Sequence, residues 1–98
     1  MYNEVINLIS YEEVTDQSGI VKRIESKTEK FCDVRSISQS EFYQAAASGL
    51  KPEYKFVLAD YLDYDGQKEV EYEGVRYSIK RTYRNGTELE MTAYGMDK

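Results

Sequence analysis

Residues 40–83 read SEFYQAAASGLKPEYKFVLADYLDYDGQKEVEYEGVRYSIKRTY, a helix signal followed by an extended run, an Asp-rich bend and a β-hairpin pattern. The helix rests on Ser38 and Glu41, spaced as a capping box: the hydroxyl satisfies a first-turn amide while the carboxylate reaches back. Ala45, Ala46 and Ala47 favour helix, Gly49 can end it in a left-handed conformation, and Pro52 blocks its resumption. Phe42, Ala45 and Ala46 form the expected core stripe. A strand over residues 54–61 follows, with Tyr54, Phe56 and Leu58 on one face and Lys55, Val57 and Ala59 on the other. If Glu73 and Gly74 make a two-residue loop, Tyr72 faces Val75, Glu71 faces Arg76 and Val70 faces Tyr77. Apolar pairs then share one side and an ion pair takes the other. Gly74 is thus assigned to a tight turn needing positive φ, and Gly66 to a looser bend.

The pattern extends outward in both directions. Asn85 and Gly86 as a two-residue loop would mix the faces. A three-residue loop of Arg84, Asn85 and Gly86 instead pairs Ile79 with Met91, Tyr77 with Ala93 and Lys80 with Glu90. Upstream, residues 5–10, 20–26 and 31–37 read as strands one to three, with a turn at Asp16 to Gly19 and a polar link at Lys27 to Lys30. The expectation is a mostly β chain: a small antiparallel β-barrel of about six or seven strands with one short inserted α-helix, forming a single domain over residues 1–98.

Composition narrows the function. The 98 residues carry 13 basic and 18 acidic side chains, a net charge of −5, which argues against tight binding to phosphate backbones. No apolar run is long enough to span a bilayer and the first residues lack a basic secretory start, so a cytosolic chain without membrane partners is expected. With no histidine and one cysteine, Cys32, there is no Ser-His or Cys-His pair and no thiolate zinc cluster. Cys32 reads as a small buried hydrophobe. The carboxylates Asp60, Asp63 and Asp65 beside Gly66 are the remaining candidate for cation binding or acid-base work. They miss the calcium-loop pattern, and Asp-Gly in a bend is ordinary turn chemistry. No catalytic, metal or cofactor site is assigned.

Charge is uneven along the chain. Residues 60–73 hold six acids against Lys68, whereas residues 76–84 hold Arg76, Lys80, Arg81 and Arg84 with no acid. Either neighbouring strands pair these charges across a sheet, or two faces offer complementary charge to identical neighbours. Ten tyrosines also exceed what a small core readily satisfies, because each buried hydroxyl needs a partner. Tyr43, Tyr61, Tyr64, Tyr83 and Tyr94 are candidate surface anchors, or alternatively cover a barrel rim.

Taken in order, Glu41, Phe42-Tyr43, Gly49, Pro52-Glu53, Asp60-Tyr61 and the run Val70-x-Tyr72-x-Gly74-x-x-Tyr77-x-Ile79-x-Arg81-x-Tyr83 resemble the head-closure, or head-tail joining, proteins of tailed bacteriophages. The resemblance spans residues 31–89. It implies a non-enzymatic β-barrel that rings the channel beneath the portal or adaptor of a filled head, closes it, and presents a docking face to the tail protein. Viral DNA would pass without specific binding, and the chain would lie at the virion head-tail interface, in the host cytoplasm before assembly. On this reading Tyr43, Tyr61, Asp63, Tyr64, Asp65, Arg76, Lys80, Arg81 and Arg84 are candidate interface residues. Ser38, Glu41, Gly49, Lys51, Pro52 and Glu53 mark a candidate channel or mobile segment. A generic bacterial β-barrel interaction module is the second reading, and a carboxylate-dependent hydrolase the third.

Overall fold

The computed structural model describes residues 2–47, 49 and 51–95. In chain order it contains β1 (Glu4–Thr15), β2 (Val21–Arg35), α1 (Gln39–Ala47), β3 (Pro52–Leu58), a single 3-10 turn (Tyr61–Asp63), β4 (Glu69–Tyr72), β5 (Val75–Asn85) and β6 (Glu88–Gly95). The chain is mostly β. Its six strands are all antiparallel and close in the order β1-β2-β3-β6-β5-β4, with β4 returning to β1.

The β4–β5 hairpin follows its sequence pattern residue by residue. Tyr72 faces Val75, Glu71 faces Arg76 and Val70 faces Tyr77. Glu73 (φ 51°) and Gly74 (φ 79°) both adopt left-handed backbone, the geometry whose twist suits a two-residue hairpin loop. Val70 and Tyr77 turn inward and are buried. Gly66 also holds positive φ, 76°, so its bend is as conformationally demanding as the hairpin turn, contrary to expectation.

The β5–β6 register departs from the expected one. Asn85 pairs with Glu88, leaving Gly86 and Thr87 as the loop, and Tyr83 rather than Lys80 faces Glu90. The loop position accounts for most of the difference, and a bulge at Lys80 then shifts the register by one residue between Ile79 and Arg81, so Ile79 meets Ala93 while Thr82 meets Met91. The extra residue reverses the alternation, which keeps Tyr77 and Ile79 inside and sends Arg81 and Tyr83 outside.

The expected second and third strands are one continuous strand. The polar residues Lys27 to Lys30 pair with Ile9, Leu8, Asn7 and Ile6 of β1, so backbone pairing carries the strand through a stretch of solvated side chains. β1 likewise runs five residues past Ser10, to Thr15. β3 starts at Pro52, a position where a strand tolerates proline, and stops at Leu58 because Asp60 caps the next turn.

Leu8, Cys32, Phe56, Val70, Ile79 and Met91, one from each strand, fill the interior. At one end Tyr54 packs on Phe56, Tyr72 and Tyr77 with ring centroids 5.4–5.7 Å apart. On the other face of β3, Val57 is as fully buried as Phe56.

Candidate protein interface

Helix α1 enters the fold between β2 and β3 and is held lightly. Half of the expected capping box is present: Ser38 Oγ accepts the Glu41 N–H at 3.2 Å. The Glu41 carboxylate does not reach back to the cap. It turns onto the barrel wall, where Lys55 Nζ donates to Oε1 at 2.8 Å and lies 3.5 Å from Glu90. The bond to Glu41, then the nearby carboxylate charge, outweighs burial and raises the Lys55 pKa. A half-buried ammonium between two acids is a stronger attractor than a helix amide, which explains the diversion. Glu41 Oε2 is buried without a hydrogen-bond partner.

The expected core stripe of α1 is reduced to Ala45. Phe42 is 47% exposed and Tyr43 68% exposed, their rings edge-on at 6.1 Å. Ala46 is exposed too. The helix is anchored by buried Ala45 and by the Glu41–Lys55 salt bridge, which leaves its large side chains at the surface. Beneath it lies a charged cleft of about 270 Å3 lined by Glu41, Lys55, Arg81, Tyr83, Glu90 and Thr92. Beside it, Phe42, Ala46, Gly49, Lys51, Pro52 and Glu53 border a more apolar notch of about 310 Å3. The proposed mobile segment therefore gathers around α1, with Ser38 at its cap and Gly49, in left-handed backbone (φ 78°), ending it.

The acidic bend lies at the β5–β6 turn. Asp60 Oδ1 accepts the Leu62 N–H at 2.9 Å, and the Tyr61 N–H donates to the Thr87 carbonyl at 2.8 Å. Arg84 lies over the Tyr61 ring, 3.6 Å from its centroid. The acidic bend and the end of the basic strand thus adjoin one another. Tyr61 and Tyr64 pack half-buried against the core, and the Tyr64 hydroxyl donates to the Gln67 carbonyl at 2.6 Å. Asp63 is 3.6 Å from Lys30 and remains half exposed. Asp65 borders a groove of about 340 Å3 whose far side is Tyr11 and Arg23.

The basic strand divides in use. Arg76 is held by Glu25, Glu71 and Glu69 at 2.5, 3.5 and 3.7 Å, which raises its pKa and occupies its charge within the chain. Cross-strand pairing therefore accounts for Arg76. Lys80 and Arg81 are exposed and make no ion pair among the described residues. Of the five candidate tyrosine anchors, Tyr43 and Tyr83 stand well exposed, whereas Tyr94 is buried.

Among the described residues no group of three His, Cys, Asp or Glu side chains is placed to hold a metal ion. Burial, reinforced by Glu4 and Asp33, pushes the Cys32 thiol up to about 12, so it is not a ready nucleophile. No helix among the described residues is long and apolar enough to cross a membrane. No protein-family model matches the chain, and no curated protein matches it.

Proposed function

We propose that this chain is a structural head-tail connector of a tailed phage or prophage, forming a ring below the portal or adaptor, closing the DNA channel and docking the tail. It acts by assembly, not catalysis. The observation that carries the reading is the inserted helix. A closed β-wall displays Phe42 and Tyr43 on an element tethered by one clear ion pair, and exposed aromatics on a lightly held segment suit an interface formed after folding. The order of residues from Glu41 to Tyr83 supports it, as does the acidic balance, since a conduit for DNA should repel phosphate.

Within this reading, Leu62 and Asp65 at the bend, with Asp63 half exposed beside Lys30, and Lys80 and Arg81 at the bulge are the apolar and charged groups presented to neighbours. The segment from Ser38 to Glu53 is the one that rearranges at the channel. Cosedimentation with DNA-filled, tailless heads tests the proposal. The chain should pellet with heads that carry a portal and not with DNA alone. Binding to naked DNA, or indifference to portal-bearing heads, would overturn it.

A further inference from the structure

We propose that β2 pairs with β2 of a second copy of this chain, antiparallel, about a two-fold axis through Ser26. The inference does not depend on the connector reading. β2 is hydrogen-bonded to β1 along residues 21–32, but on its other side it meets β3 only at Asp33, Val34 and Arg35. Among the described residues, the edge from Val21 to Cys32 therefore has no strand beside it. Such an edge offers a row of unpaired amides and carbonyls, and charged side chains ordinarily discourage its use.

Here the charges alternate so that a two-fold copy meets them as opposites. Centring on Ser26 sets Arg23 against Glu29 and Glu25 against Lys27 on the outer face, with Val21 against Phe31 at each end. Val21 and Phe31 are 58% and 62% exposed in the single chain. On the other face Ile24 meets Thr28 and Ser26 meets itself. Lys22 faces Lys30, whose ammonium is already 3.6 Å from Asp63. Centring on Arg23, Glu25 or Lys27 would put like charges on the axis, and centring on Ile24 keeps one kind of ion pair where Ser26 keeps two. Lys27 and Glu25 already contact Glu71 and Arg76, so the pairing would join two intrachain networks into one alternating row.

The edge of β1 past Ile9 is open as well. A neighbour's β2 docking there would propagate copy after copy, whereas the two-fold pairing stops at two.

The test is mass against concentration for the full chain, by sedimentation and light scattering. The mass should rise from 11.4 kDa toward twice that value and level off. Half-association is expected at roughly 10–100 μM, because a strand edge buries less than a standard interface. Arg23→Glu and Glu29→Arg should each raise that concentration roughly tenfold, since each ion pair occurs twice by symmetry and becomes a like-charge contact. The double variant should restore it, because the two residues sit six positions apart on one strand and meet only across the axis. Melting curves check that the variants fold. A mass that stays at 11.4 kDa up to about 1 mM overturns the proposal. So does growth beyond two copies, or failure of the folded double variant to recover association.

Discussion

The two ends of the β1–β2 hairpin share one backbone register and differ in everything else. Ile6 and Leu8 lie opposite Lys30 and Thr28 and are fully buried; farther along the same face, Glu12 and Val14 lie opposite Ile24 and Lys22 and are exposed. The difference is the opposing wall. Near Leu8 the sheet curls round to face Phe56 and Met91, whereas past Tyr11 the hairpin projects as an arm whose Glu12 and Val14 have no buried partner among the described residues. Strand pairing sets the shape of both halves, and burial distinguishes a structural half from one available to partners.

That contrast can be broken most sharply at matched apolar positions. Leu8→Ala should cost about 2–5 kcal/mol, the usual loss for a buried leucine that leaves a cavity, while Val14→Ala should cost under about 0.5 kcal/mol. Urea titrations of both variants measure it. Equal costs would mean that the arm is packed in solution. The turns provide a second contrast. Gly74→Val and Gly19→Val each force a β-branched residue into left-handed backbone, at about 1–2 kcal/mol of local strain. Only the Gly74 turn fixes barrel register, so Gly74→Val should lower the melting temperature clearly, while Gly19→Val should mainly loosen the arm in hydrogen exchange.

Alkaline pH sharpens the same line. Burial and the bond to Glu4 push Tyr72 up to about 12, and burial pushes Cys32 there too. Both prefer their neutral form when folded. Their contribution is whole below the unfolded values, about 10 for tyrosine and 8.5 for cysteine, and is lost as pH rises toward 12. Circular dichroism and tyrosinate absorbance should show unfolding and Tyr72 ionisation together. A folded barrel with Tyr72 fully ionised at pH 11 would contradict the burial argument.

Smaller effects belong to the wall under α1. Lys55→Ala should cost about 1 kcal/mol, leaving the Glu41 carboxylate half-buried and unpaired, with exchange accelerating in α1 before the strands. The smallest effect is at the acidic bend. Asp63→Lys with Asp65→Lys should shift stability by under about 0.5 kcal/mol, because exposed pairs contribute little, yet should impair head completion.

The sequence announced those features whose signal is local. Glu73 and Gly74 combine turn chemistry with matching alternation on both sides, so the hairpin register was legible. So was the start of α1, from Ser38. What stayed hidden depends on residues far apart in the chain. The bulge at Lys80 is invisible to simple alternation, because it exists to reconcile Tyr77 and Ile79 inside with Thr82 opposite Met91. The continuity of β2 through Lys27 to Lys30 looked like a loop because its side chains are polar, although β1 supplies its hydrogen bonds. Glu41 fitted a capping box until Lys55, fourteen residues on, drew it away. At the candidate interface, the exposure of Tyr43 and Tyr83 was readable, while the internal use of Arg76 required knowing that Glu25 lies beside it.

The connector reading meets its most direct test in DNA-filled heads that lack this chain and have no tails. Purified wild-type chain is added, and retention of packaged DNA and attachment of tails are scored together. The account predicts that both are restored, and that the Asp63→Lys, Asp65→Lys variant, melting like the wild type, restores them poorly. Heads that continue to leak DNA and stay tailless in the presence of folded wild-type chain would contradict it.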